Sequence, residues 1–454
     1  MALAIVGGRV WDGTGSPPRD DTTVLIEGDR IAAVGTGLPI PETAERIDAS
    51  GKTVMPGLID MHVHVMICGE DSLLGFLGTG ITSVRDLGGD PDVLLPMREA
   101  LARGERPGPR LFVYGPMLDG EPPIFGAQAA ALSRLTRVSA TPEQGEAAVR
   151  ELIERGVDGL KLYAALRPDL VGPMIKAADG RVPVAGHLGR TWASEAIDLG
   201  IDCLEHVHAT VYQDVVRPED RHTREGGNGA MPNYWSWLSE GWARADLDAE
   251  HVHRFIDQIV ENGVVMSPTT VLITGGMATN EAAEEPGQRY RPRTMSERMR
   301  QGQEALRRMR EEAEKAGRPL ATPRRVDPDV GRRARANELD FLRRLHEAGG
   351  TIVPSTDVGA APLQVPGFAL HRELALLVEA GIPAREVLAG VTRTAAEVLR
   401  AGDRLGTLSP GKLADVIIVD GDPLADITAT RELARVVKDG RSYAPQEVLD
   451  RIET

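Results

Sequence analysis

The chain has 454 residues, more than one small core organises, so two domains, or one large domain with an accessory, are expected. Its 42% hydrophobic and 26% charged residues are ordinary for a soluble globular protein, and a net charge of −15 argues against nucleic acid or an anionic membrane as partner. Two cysteines, Cys68 and Cys203, give no disulfide framework; with no basic leader and no apolar run of bilayer length, a cytoplasmic protein is expected.

Residues 1–55 read as β structure. Leu3 to Val6, Arg9 to Trp11, Thr23 to Ile26 and Ile31 to Val34 are short apolar or alternating runs, and Gly7-Gly8, Asp12-Gly13, Glu27-Gly28-Asp29 and Gly35-Thr36-Gly37 read as turns between them. From Pro56 short apolar strands alternate with helical stretches, the rhythm of βα units and a parallel sheet. The strands end near His64, Asp86, Gly115, Tyr163, His187, His206, Pro268 and Asp357, and a helix is placed from about Pro142 to Arg155. Eight such units predict a (β/α)8 barrel, an α/β fold with its chemistry at the C-terminal ends of the strands. Excess length falls at about 210–250, which holds Trp235, Trp237 and Trp242, and at about 275–336. Met295 to Ala316 in the second insertion carries many opposite charges four apart, the mark of a solvated helix; a lid over the barrel mouth is the functional alternative. For the tryptophans, packing is favoured over a pocket wall. Helices follow near His371 to Gly381 and Ala384 to Ala401, and the chain returns to β structure after Gly406. The terminal strands are expected to join the N-terminal sheet. The expected division is a composite β-sandwich domain of 1–55 plus 404–454 and a barrel of 56–403.

The organising stretch is Val54 to His64, an apolar strand with a Pro56-Gly57 bend that ends in His62-Val63-His64. Residues two apart on a strand share a face, so His62 and His64 project together and make half of a divalent-metal site; two satisfied polar histidines are the alternative. Other strand ends supply His187, His206 and Asp357. Lys161 interrupts an apolar strand, where a lone ammonium is costly to bury. It needs a partner such as Asp357 or a change of state: a deprotonated lysine reacts with carbon dioxide, and the anionic carbamate could bridge two metal ions.

These segments resemble the amidohydrolase superfamily, within it the branch of imidazolonepropionases and metal-dependent Xaa-Pro dipeptidases (prolidases). The resemblance rests on Val54 to His64, Thr82 to Gly89, Gly156 to Lys161, Gly186-His187-Leu188, Leu204-Glu205-His206, Ser355-Thr356-Asp357, His371 to Leu374 and Asp403 to Asp420, and covers nearly the whole chain apart from the two insertions. It implies a binuclear site: His62, His64 and Asp357 on the more buried metal, His187 and His206 on the other, and N6-carboxylated Lys161 between them. Two divalent ions are expected, Zn2+ first, with Mn2+, Co2+ or Fe2+ as alternatives. Where many relatives carry a second strand-5 histidine, this chain has Gly186 and Leu188 around His187.

Two cations sharing a water lower its pKa toward neutrality, and Asp357 would accept the proton and return it to the leaving amine. The expected activity is hydrolysis of a carboxamide in a small molecule, such as a dipeptide, an N-acyl amino acid or a cyclic amide. Arg85, Tyr163, Arg190, His208, Tyr212 and His371 are candidate substrate contacts, an arginine being suited to a carboxylate through a bidentate pair. A lactonase or phosphotriesterase, a one-metal deaminase and a non-catalytic scaffold are the competing readings. Deamination ranks lower because Lys161 is present and no glutamate follows His187 before Glu195. A homo-oligomer is expected, as is common in such barrels.

Overall fold

The computed structural model describes residues 2–124, 134–222, 234–272, 287–317, 326–360 and 364–454. Both ends of the chain feed one mixed sheet. Its strands are β1 (Ala2–Val10), β2 (Arg19–Glu27), β3 (Arg30–Gly35), β4 (Glu45–Asp48) and β5 (Lys52–Pro56) from the N-terminal side. The barrel strands follow as β6 (Leu58–Val63), β7 (Ile81–Asp86), β8 (Arg110–Val113), β9 (Met117–Asp119), β10 (Thr136–Val138), β11 (Leu160–Leu162), β12 (Val184–Gly186), β13 (Cys203–Glu205), β14 (Val265–Ser267) and β15 (Thr351–Ile352). The C-terminal side adds β16 (Val416–Asp420), β17 (Leu433–Lys438) and β18 (Arg441–Tyr443) to the first sheet. That sheet runs β18-β17-β16-β5-β1-β2-β3, with β4 on β1, and Ile418 faces Val54 across the antiparallel β16–β5 pair. Ile5, Val24, Ile26, Val54, Val416 and Ile418 are fully buried there and form a core of their own. The Gly7-Gly8 pair is not the turn its composition suggests. β1 passes through it unbroken, and the left-handed Gly7 (φ 71°) sits in a bulge that shifts the register against β2.

The barrel is a ring of parallel pairs. β6 pairs β7 and β7 pairs β8; β9 pairs β11, followed in order by β12, β13, β14 and β15. The third strand is longer than its sequence suggests: β8 continues as β9 after a break at Tyr114 to Pro116, handing its hydrogen bonds from β7 to β11. The ring closes where Asp357 N donates to His62 O at 2.8 Å and His64 N to Val358 O at 3.2 Å. The chain is therefore an α/β protein with a (β/α)8 barrel and a terminal β unit. Thr141 caps the helix Pro142–Glu154, as Pro and Glu in its first turn favour. Residues 384–398 form one helical run with a π turn at Gly390–Thr394. Among the described residues no helix is long and apolar enough to cross a membrane.

The second insertion carries the expected solvated helix, and in the first Trp242 packs as expected whereas Trp235 lies on a cavity wall. The helix Arg293–Lys315 carries the four-apart ion pairs Arg293–Glu297 (3.3 Å) and Arg307–Glu311 (3.0 Å), so it is a solvated helix. Its Arg298 Nη1 donates to Ile67 O at 2.8 Å near the barrel mouth. The lid reading for 275–336 falls partly on 275–286 and 318–325, and the insertion at 210–250 partly on 223–233, outside the described residues. Trp242 is buried and donates Nε1 to His208 O at 2.9 Å, whereas Trp235 is 37% exposed.

The Pro56-Gly57 bend divides the organising stretch between the two sheets, β5 in one and β6 in the other. Gly57 is required by space: a Cβ there would lie 2.2 Å from Thr82 Oγ1, on a stiff β-branched side chain. Gly57→Ala is expected to lower stability by about 1–3 kcal/mol in urea unfolding, with most of the loss recovered when Thr82→Ala is added. Wild-type stability in the single variant would show that this joint tolerates a methyl group.

Candidate metal centre and active site

The barrel puts its polar side chains at the C-terminal ends of the strands. His62 ends β6 and His64 follows it; Lys161 lies on β11; His187 follows β12, His206 follows β13, and Asp357 lies beyond β15. His62, His64, Lys161, His206 and Asp357 are buried and His187 is half-buried; all six line one cavity of about 380 Å3. One ligand atom each from His62, His64 and Asp357 can be chosen so that all lie within 4.8 Å of one another. Asp357 Oδ1 is 3.0 Å from His64 Nε2 and 3.4 Å from His62 Nε2. The His187 and His206 rings are 4.4 Å apart between centroids, and His206 is 4.7 Å from His62, so the second pair adjoins the first.

The donor set fits cations. Burial pushes His62, His187 and His206 well below their ordinary pKa, aided by the positive charge of Lys161, which leaves neutral imidazoles with a lone pair to give. Burial also lowers His64, but the hydrogen bond and charge of Asp357 outweigh it and hold His64 above its ordinary value. Burial brings the Lys161 ammonium down to about 8, and among the described residues its Nζ has no hydrogen-bond partner. The Lys161–Asp357 pair that would have made this lysine structural is not formed. An orphaned, easily deprotonated amine among imidazoles suits carbamate formation.

Several positions are held by neighbours that the sequence did not single out. Glu205 accepts from His62 Nδ1 at 2.8 Å, fixing its tautomer so that Nε2 faces Asp357. Glu205 also accepts from Arg85 Nη2 at 2.6 Å. Asp60 Oδ1 accepts from His62 N (3.1 Å) and Thr356 N (3.2 Å), and its Oδ2 from Thr356 Oγ1 (2.8 Å), tying the first strand to the last. Burial pushes Asp60 up to about 7 against those three bonds. Thr269 Oγ1 lies 2.8 Å from His206 Nδ1. His206 (φ 66°), Thr269 (φ 50°) and Asp357 (φ 55°) all adopt left-handed backbone, a cost that ordinary side chains accept only where their surroundings hold them.

The candidate substrate contacts split. Tyr163 and His208 line the cavity, Tyr163 with its ring 4.9 Å from His187. Arg85 does not reach it: this residue is fully buried in the barrel interior, on Glu205, with its guanidinium 5.2 Å from the Tyr114 ring. Tyr212 directs its hydroxyl to Asp220 O and Trp237 O. His371 is buried between Thr430 Oγ1 (2.9 Å) and Thr79 O (3.0 Å), beside the terminal sheet. Arg190 donates to Glu121 O at 2.8 Å. Tyr234 and Trp235 line the cavity instead, Trp235 with its ring 5.4 Å from His208.

Two buried carboxylates give tests. Glu205→Gln leaves the Arg85 guanidinium without its counter-charge, and unfolding in urea is expected to show a loss of about 3–5 kcal/mol; a loss below about 1 kcal/mol would mean that Arg85 is compensated elsewhere. Glu373 accepts from Val271 N at 2.9 Å and hydrogen-bonds Thr270, holding the turn before Leu272 of the cavity. Burial raises it from its ordinary 4.5 to about 8. Its stabilising contribution is thus fully present below about pH 4.5 and lost as pH rises through about 8. Thermal melts of Glu373→Gln should decline less over that window than wild type, and parallel curves would remove Glu373 as the source.

Comparison with known proteins follows this geometry. Among solved structures, a Xaa-Pro dipeptidase with bound methionine in the active site aligns over 98% of this chain and 100% of its own, at 23% identity and a TM-score of 0.67. A putative prolidase from Bifidobacterium longum aligns over 99% and 98%, at 20% identity and 0.67. These likenesses support the fold. Curated relatives match over short stretches only: a dihydroorotase of Trichlorobacter lovleyi is 47% identical over 92 residues, 18% of this chain and 21% of that protein. An imidazolonepropionase of Streptomyces avermitilis is 42% identical over 50 residues, 11% of this chain and 12% of that protein. The sequence model of the Amidohydrolase family matches residues 53–443, from the last strand before the barrel to the last strand of the terminal sheet, and the chain belongs to that family.

Proposed function

We propose that this chain is a metal-dependent hydrolase that cleaves a carboxamide C–N bond in a small molecule. The observation that carries the reading is the meeting of His62, His64 and Asp357 at one cavity wall, with the unpartnered Lys161 Nζ, His187 and His206 in the same cavity. In this reading His62, His64 and Asp357 hold one divalent ion, His187 and His206 hold a second, and carboxylated Lys161 lies between them, with Zn2+ the first choice. When bound, such ions activate a water and polarise a carbonyl.

The residues of the chain do the rest. Glu205 keeps His62 in the tautomer that presents Nε2 to the site. Asp60 and the backbone bond from Asp357 N to His62 O hold both residues in one frame. Asp357 accepts the proton released as water adds to the carbonyl carbon, and delivers it to the departing nitrogen as the C–N bond breaks. Tyr163 and His208 line the cavity where the amide must lie. The largely apolar lining lowers the polarity around the carbonyl, which strengthens each electrostatic contact made there. The division into 1–55 plus 404–454 and 56–403 keeps all six of these residues in the barrel unit. An orphaned, depressed lysine supports a two-metal site over the one-metal deaminase reading.

Elemental analysis of protein loaded with zinc and bicarbonate is expected to find about two zinc per chain. Asp357→Asn should lower kcat on any amide the wild type cleaves by about a hundredfold or more while part of the metal stays bound. Full activity in that variant would sink the proposed proton transfer, and a metal-free wild type would sink the reading as a whole.

A further inference from the structure

The inference rests on the hydrolase reading and concerns the substrate class of the same cavity. Outside the six residues assigned to metal and proton transfer, the lining is apolar: Ile67, Met117, Ile124, Leu135, Leu272 and the Trp235 ring. Polar atoms that face a ligand belong to His208 and Tyr234, groups suited to a neutral amide's N–H and C=O. Among the described lining residues there is no arginine, and Lys161 is the sole lysine.

The arginines near this region point their charge elsewhere. Arg85 is bound to Glu205 inside the barrel at 2.6 Å, Arg190 donates to Glu121 O at 2.8 Å, and Arg298 donates to Ile67 O at 2.8 Å without lining the cavity. A substrate carboxylate held away from the metals would lose its water and gain no counter-charge from the described wall. An alkyl or aryl group would instead leave water for an apolar wall and a half-exposed tryptophan ring. The volume, about 380 Å3, lies within the usual range of small-molecule sites.

We propose that the substrate is a neutral amide with an aliphatic or aromatic substituent lying against Trp235 and the apolar wall, and that amides bearing a free carboxylate, including N-acyl amino acids and dipeptides, are disfavoured. N-benzoyl-leucine and its methylamide share the benzoyl-leucyl frame, and the second replaces the free carboxylate by a neutral N-methyl amide. Calorimetric titration of both into zinc-loaded Asp357→Asn protein should find the methylamide bound at least about tenfold more tightly. Trp235→Ala in the same background should weaken the methylamide by about tenfold with zinc content unchanged. Equal or tighter binding of the acid, no binding of the methylamide, or indifference to Trp235→Ala overturns the proposal. Wild-type turnover, measured in parallel, separates the two failures: the binding preference without amide cleavage defeats the hydrolase reading and with it the assignment as substrate, whereas cleavage without the preference defeats the inference alone.

Discussion

The site depends on a carboxylate that never meets water. Glu205 is fully buried, and it stands between the Arg85 guanidinium and the His62 ring. Alone, either ion would be prohibitively costly inside a barrel; together, with Arg85 also donating to Met61 O at 2.5 Å, they satisfy one another. Glu205 holds Arg85 above its ordinary pKa despite burial, so the cation is permanent. The same carboxylate then orients a histidine whose other nitrogen faces Asp357. Electrostatics that would otherwise destabilise the barrel interior thus fix the direction of the site above it.

A second constraint is backbone geometry at the strand ends. His206, Thr269 and Asp357 leave their strands in left-handed conformation, which turns the side chains toward one another. Each is held by a bond from its own backbone N–H to a neighbouring strand end: His206 N to Ser267 O, Thr269 N to Ser355 Oγ, and Asp357 N to His62 O. Asp60 adds the lateral tie between first and last strand. Local cost is carried by a frame of hydrogen bonds that closes the barrel at the point where the chemistry needs its residues close.

Much of this was legible in the sequence because it follows from periodicity. The two-residue spacing of His62 and His64, and the βα rhythm, place six polar residues at strand ends without any tertiary information. What failed is what periodicity cannot decide. Arg85 ends an apolar strand just as His187 does, but it faces the filled barrel interior and not the mouth; the usable signal was its need for a buried anion, which Glu205 in Leu204-Glu205-His206 supplies. His371 points at the terminal sheet, a contact between distant parts of the chain. Tyr234 and Trp235 come from an insertion with no strand rhythm to place them. Gly7-Gly8 has turn composition, yet pairing with β2 on one side and with β4 and β5 on the other carries the strand through it.

Charge at two scales leads to one view of the ligand. The whole chain carries −15, so its long-range field repels anions and gives no steering to neutral molecules. Within the cavity, Lys161 and the neutral imidazoles are gathered at one end, and the wall described beyond them is mainly hydrocarbon and aromatic. A ligand that entered as a carboxylate would cross an unfavourable field and then meet no counter-charge on the described wall. A neutral amide meets neither obstacle, and its apolar body gains from leaving water. Selectivity of this kind comes from what the wall omits as much as from what it offers, because an unpaired buried charge costs more than a good apolar contact returns.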